Sequence, residues 1–257
     1  MDKYQIPILL YHRVVNSSCK IGKHKIYVSE KKFRKQMRYL KDNGYETITF
    51  EKLAAGINDS KAGNKVNSLT SQSYKKIILT FDDGYEDNYT ILFPILKEFG
   101  FTAVIFLITK LSFNEWAIKE GEPHLNMLTH EMIREMSDYG IEFGGHTRTH
   151  PDLKKISEEK LYEEIVGCKK DIEEITGKQC ISFAYPYGAY NEKILYIVKE
   201  TGYKYGITTI FGPKNIHEDN MRIRRIEVRP NTTFFSFKRK VSGRYYEKSI
   251  YNLFSGK

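Results

Sequence analysis

Short apolar runs alternate with longer amphipathic stretches along most of the chain. "IPILL" (6–10), "ETITF" (46–50), "KIILTF" (76–81), "TAVIFLI" (102–108), "IEFGG" (141–145), "CISFAYP" (180–186), "YKYGITT" (203–209) and "MRIRRIEV" (221–228) read as strands. Between them, residues 29–44, 50–57, 88–100, 129–140, 157–177, 191–202 and 232–243 carry the 3.6-residue spacing of helices. In the first of these, Phe33, Met37 and Leu40 share a face, Ser29 is placed as N-cap and Gly44 as stop. Thr49 and Thr129 are placed to cap the second and fourth helices, and Gly177 to end the fifth. Two stretches break the alternation. Residues 56–75 are polar and rich in Asn and Ser, which predicts a surface loop or lid. Residues 109–128 form a loop that carries the only Trp, Trp116.

Buried apolar strands separated by amphipathic helices imply parallel strands with helices outside. The predicted fold is α/β, a distorted (β/α) barrel of about seven to eight parallel strands with outer helices. A doubly wound open sheet is the alternative, and both place ligand sites at the carboxyl ends of the strands. The expected organisation is a single domain over 1–257, with a basic C-terminal segment at about 232–257.

Composition narrows the class. Hydrophobic residues make up 40% of the 257 and aromatics 14%, enough to fill a core and to exclude a disordered chain. The net charge is +9, and residues 214–257 hold eleven Lys or Arg against four Asp or Glu, so 11 − 4 = +7 lies there. That segment suits a phosphate-linked sugar or an anionic membrane surface, beside the plainer reading of a solvated basic face. Nothing matches a nucleic-acid-binding module, so no nucleic acid partner is expected. Three cysteines without CxxC spacing exclude a disulfide framework and a cysteine zinc site. Reduced thiols, a short apolar run at the start and no membrane-length stretch predict a cytoplasmic protein.

The chemistry gathers at the predicted carboxyl ends. His12 follows the first strand, Asp82 and Asp83 the third, and His146 and His150 the fifth, with "YPYG" after "ISFA". Two imidazoles and two carboxylates on one rim have the composition of a metal site. The H-x₃-H spacing puts two nitrogen donors within reach of one ion, and the two Gly before His146 are expected to let the chain turn. Side chains of neighbouring extended residues diverge. One aspartate is therefore expected on the metal and the other free to take a proton from water. Asp87, beside the helix at 88–99, reads as its N-cap, which frees the Asp pair for other work.

"TFDDGY", "HTRTH" and "YPYG", in this order and at these strand ends, resemble the polysaccharide deacetylase family (carbohydrate esterase family 4, the NodB-homology domain) over roughly residues 5–230. "PILLYHRV" and the Ala in "FAYPYG" resemble its permuted branch related to poly-N-acetylglucosamine deacetylases. The resemblance implies a metal-dependent hydrolase that removes N-acetyl groups from an N-acetylated sugar of a polysaccharide or its precursor. It makes Asp82 the general base and Asp83, His146 and His150 the ligands of one divalent ion, zinc first, with cobalt, nickel or manganese as alternatives. It gives the Tyr187 backbone N–H to the oxyanion and, in this branch, the general-acid role to His12. The family's Arg that pairs with the base is absent: Ala184 stands in its place. Arg225 and Glu227, on one face of the last strand by period-2 alternation, are expected to orient Asp82 or His12. Tyr11, Tyr85, Tyr185, Tyr187 and Trp116 are candidates for stacking on the N-acetylated carbohydrate. The rivals are a metal-dependent amidase for a small non-sugar amide and a non-catalytic carbohydrate- or polyanion-binding module.

Overall fold

The apolar run at the start of the chain forms strand β1 (Ile8–Tyr11), which lies within a parallel sheet in the computed structural model, where residues 6–61, 75–210 and 219–242 are described. There follow β2 (Arg13–Val15), β3 (Tyr27–Ser29), helix α1 (Glu30–Asp42), β4 (Tyr45–Thr47), α2 (Phe50–Lys61), β5 (Lys75–Phe81) and α3 (Phe93–Phe99). The second part holds β6 (Val104–Leu107), α4 (Glu115–Ile118), α5 (His130–Tyr139), β7 (Glu142–Gly145), α6 (Glu158–Thr176), β8 (Ser182–Ala184), α7 (Glu192–Glu200), β9 (Tyr205–Ile207), β10 (Ile226–Glu227) and α8 (Phe234–Val241).

The strand order is β10-β1-β5-β6-β7-β8-β9, all parallel, with β4 added beside the start of β5. The sheet curls into a half-barrel with helices around it. Ile223 bridges to Ile207 beyond one outer strand, and Ile226 and Glu227 pair with Leu9 and Leu10 on the other side. One short segment thus spans both edges, which favours the barrel over the open sheet. Alternation sorts the side chains. Ile8, Ile78, Val104, Phe106, Ala184 and Ile207 pack together inside, while Leu9, Leu79, Ile105, Leu107 and Phe183 pack outward with the helices.

The predicted caps hold. Ser29 and Thr129 accept the N–H three residues on, and Thr49 accepts from Lys52; Ser157, Asn191 and Thr233, which were not foreseen, cap their helices in the same way. The helix expected at 88–100 is split. Asn88–Leu92 is a π-helical turn and α3 restarts at Phe93, where Pro94 falls in the first turn and needs no N–H. Asp87 is not a cap: its side chain makes no capping bond and pairs instead with Arg13 Nε at 2.6 Å. The loop expected at 56–75 begins later, since α2 runs to Lys61, and residues 62–74 lie outside the described residues. So do His217 and the stretch 243–257 of the basic segment. The parallel pair β2–β3 was not foreseen; strands of three residues carry too little pattern. Among the described residues, no helix is long and apolar enough to cross a membrane.

Candidate active site

Asp82 and Asp83 stand at the carboxyl end of β5, 2% and 4% exposed. Asp83 takes a left-handed φ of 76°, followed by Gly84 at 81°. That turn sends the two carboxylates to different neighbours. Asp82 receives a two-pronged grip from Arg225, Nη1 to Oδ1 at 2.6 Å and Nη2 to Oδ2 at 2.7 Å. Arg225 is itself 1% exposed. It also donates to Thr80 Oγ1 and the Thr208 carbonyl and lies over the Phe106 ring. Burial alone would push the Asp82 carboxyl up. The Arg225 charge and hydrogen bonds outweigh burial and hold it below the ordinary carboxylate range. Arg225 thus makes the pairing with Asp82 that Ala184 cannot make. Glu227 does not share it: its carboxylate pairs with Arg229 Nε at 2.7 Å.

Asp83 faces the histidines. His146 Nε2 lies 3.4 Å and His150 Nε2 3.7 Å from Asp83 Oδ1. One donor atom from each of the three lies within 4.8 Å of the others, and all three residues are buried. The second nitrogens are occupied. His146 Nδ1 is 2.7 Å from the Ala184 carbonyl, which can only accept, so Nδ1 carries a proton and Nε2 is the nitrogen turned toward Asp83. His150 Nδ1 meets the Tyr187 hydroxyl at 3.2 Å. Burial and the charge of His146 push His150 down to about 3, which keeps its imidazole neutral. Burial lowers His146 as well, but its hydrogen bond to Asp83 and the two aspartate charges outweigh burial and raise it. A carboxylate and two imidazoles of fixed ring orientation fit a divalent first-row metal.

The loop that carries the histidines is built differently from expectation. Gly144 and Gly145 lie in β7 without positive φ, so they do not make the turn. They are glycines because a Cβ at Gly144 would meet the Phe106 ring at 2.5 Å, and one at Gly145 the Tyr203 hydroxyl at 2.5 Å. The turn is made by Thr147 and His150, with φ of 70° and 60°. Helix α6 holds it: Glu164 accepts from the N–H groups of Arg148 and Thr149 at 2.7 and 2.9 Å and from the Thr149 hydroxyl at 2.6 Å. Asp171, two turns further, takes the Arg148 side chain and the Thr109 hydroxyl. Sequence reasoning missed both acids, although their seven-residue spacing puts them on one face of α6.

His12 follows β1 and is half-buried, with its carbonyl fixed by Asn88 of the π-helical turn. A charge on its ring would lower the Asp82 and Asp83 carboxyls and the His150 imidazole, which puts His12 on the same rim as they are. Tyr187 sits in a tight turn with φ 58° and is 55% exposed. No protein group among the described residues accepts its backbone N–H. The Trp116 ring lies 4.8 Å from that of His150 and walls the site. Of the other aromatic candidates, Tyr11 and Tyr185 are core residues, bonded to Gln36 and to the Met221 carbonyl, and Tyr85 is 2% exposed. Five non-glycine residues have positive φ among those described, and four of them are Asp83, Thr147, His150 and Tyr187. Strain of about 1 kcal/mol or more at each is concentrated where the chemistry is.

The sequence pattern of the polysaccharide deacetylase family matches residues 70–206. YxkH of Bacillus subtilis (strain 168), provisionally named a polysaccharide deacetylase, is 30% identical over 91% of this chain and 75% of its own. A poly-beta-1,6-N-acetyl-D-glucosamine N-deacetylase of Staphylococcus epidermidis is 27% identical over 78% of this chain and 68% of its own. The solved structure of the Streptococcus pyogenes deacetylase PplD in complex with acetate superposes with a TM-score of 0.75 at 28% identity, covering 93% of this chain and 98% of that one.

Proposed function

The chain belongs to the polysaccharide deacetylase family, and we propose that it is a metal-dependent hydrolase that removes N-acetyl groups from an N-acetylated sugar of a polysaccharide or its precursor. The observation that carries the reading is the division of the aspartate pair, Asp82 on Arg225 and Asp83 on two histidines. Asp83, His146 and His150 would hold the ion, zinc before cobalt, nickel or manganese. When bound, it polarises the acetyl carbonyl and makes water a stronger acid. Asp82, kept ionised and aimed by Arg225, takes the proton from the attacking water. The Tyr187 N–H donates to the oxyanion as the tetrahedral centre forms. His12 returns a proton to the leaving amine, without which a poor leaving group stays attached.

General acid and base roles contribute roughly 10²–10⁴-fold each. Asp82→Asn is expected to keep its metal and lose at least about 100-fold in acetate release from N-acetylated glycans. His146→Ala is expected to lose the metal by elemental analysis. Wild-type-like turnover in Asp82→Asn removes the base assignment. A non-catalytic binding module has no use for a second buried carboxylate beside the metal ligands, which favours the enzyme. The unpaired state of Cys19, Cys168 and Cys180 supports a cytoplasmic setting, and so a precursor as substrate. Cell fractionation tests that placement. The charge of the basic C-terminal segment suits either a phosphate-linked sugar or an anionic membrane surface as partner.

A further inference from the structure

We propose that Asn88 is a positioning residue for His12: together with Asp87 and Arg13 it fixes the backbone that carries the general acid to the leaving amine. The inference rests on the deacetylase reading, in which His12 passes its proton to the amine nitrogen as the C–N bond breaks and the bonding pair stays on that nitrogen. Such a transfer needs an imidazole held in place, since a displacement of about 1 Å can cost about 100-fold in rate. His12 stands between the end of β1 at Tyr11 and the start of β2 at Arg13 and belongs to neither strand. It is also half-buried, so close packing does not fix it on every side. Its placement rests on what grips the chain around it.

Three anchors do so. On one side, the Tyr11 hydroxyl donates to Gln36 Oε1 at 2.9 Å and its ring stacks on Phe81. The Tyr11 carbonyl accepts from the Asp82 N–H at 3.0 Å, which ties the neighbour of the acid to the base. On the other side, buried Arg13 pairs with Asp87, donates from Nη1 to the Lys20 carbonyl at 3.0 Å and lies over the Tyr85 ring. At His12 itself, Asn88 Nδ2 donates to the carbonyl at 2.9 Å and lies 3.3 Å from Asp87 Oδ1. A carbonyl can only accept, so the Asn88 amide must turn its NH₂ this way. Asn88 is fully buried, and its Oδ1 meets no hydrogen-bonding partner among the described residues. A buried acceptor left unsatisfied costs stability, so the amide is poorly explained as a folding element. Its other end holds the acid. Asn88 also opens the π-helical turn, an irregularity that collects at functional sites.

The test compares two leaving groups on the metal-loaded enzyme. Acetate release from N-acetylglucosamine oligomers needs a proton on the departing nitrogen. Cleavage of 4-nitrophenyl acetate does not, because nitrophenolate departs as an anion. Asn88→Leu keeps the volume and removes the donated bond. Its ratio of oligomer turnover to ester turnover is expected to fall about 10–100-fold, with metal content and oligomer KM unchanged. His12→Ala is expected to lower the same ratio by at least about 100-fold. Where Asn88→Leu does not fold, Asn88→Ser reads the same ratio with a smaller change of shape. An unchanged ratio in the Asn88 variant, or an equal fall on both substrates, overturns the proposal and leaves His12 as the acid. An unchanged ratio in His12→Ala removes the acid assignment itself, and the proposal with it.

Discussion

At the scale of single residues, the account turns on Arg225. A buried carboxylate without a partner takes up a proton, and the two bonds from Arg225 are what keep Asp82 charged. Arg225→Gln leaves Asp82 buried and unpaired. Its carboxyl pKa rises, so the acidic limb of the activity–pH profile is expected to move to higher pH, and stability to fall by about 3–5 kcal/mol. Arg225→Lys keeps the charge but loses the two-pronged geometry, and its profile should fall between the two. An unmoved acidic limb in Arg225→Gln would detach Arg225 from the base. Asp82, Asp83, His12, His146 and His150 were legible because each follows an apolar run. Arg225 was legible only as a candidate, since it lies 143 residues from Asp82 in the chain and only the closing segment brings it there. Asp87 misled because a residue beside a helix start reads as a cap, whereas here a buried Arg13 claims it.

At the scale of elements, α6 shapes the metal-binding loop without touching the ion. Glu164 accepts three hydrogen bonds from residues 148 and 149, between the two histidines, where the backbone is strained. Glu164→Ala frees two backbone N–H groups and lets the loop relax toward ordinary φ. Metal affinity, read by titration calorimetry, is expected to weaken about 10–100-fold, as for the loss of supporting contacts behind metal ligands. Glu164→Gln retains an acceptor oxygen and should recover part of that loss. Unchanged metal affinity in Glu164→Ala would make α6 a packing element only. The helix was readable from its period and its Gly177 stop. Its grip on the loop was not, because a glutamate on a helix reads the same whether it faces water or a backbone amide. The glycines of β7 show the same limit: their presence was visible, but the ring and hydroxyl that exclude a Cβ belong to other strands.

Across the whole molecule, the half-barrel carries its candidate site at the carboxyl rim and a buried carboxylate, Glu142, at the amino end of β7. Glu142 begins β7 on the inside, accepting from the Glu51 N–H at the start of α2 and from the Ser182 hydroxyl on β8, each at 2.8 Å. Burial pushes its carboxyl up to about 7, from an ordinary 4.5. A raised carboxyl binds its proton more tightly in the folded state. The stability it contributes is fully present below the unfolded value and is lost as pH rises through about 7. Urea midpoints of the wild type are expected to fall more between pH 5 and 8 than those of Glu142→Gln; parallel falls would mean that Glu142 is charged throughout. The alternation of strands and helices made this architecture legible from the start. The order in which strands join and the double pairing of residues 223–227 depend on curvature, which no local pattern encodes.

The reading of the whole protein as a metal-dependent deacetylase is tested most directly by acetate release from a panel of N-acetylated glycans, with the enzyme first stripped of metal and then restored with zinc. Loss of acetate release on stripping and its return with zinc, in the wild type but not in Asp82→Asn, is the predicted result. Undiminished release by the stripped enzyme, or none from any N-acetylated glycan after restoration, would contradict it.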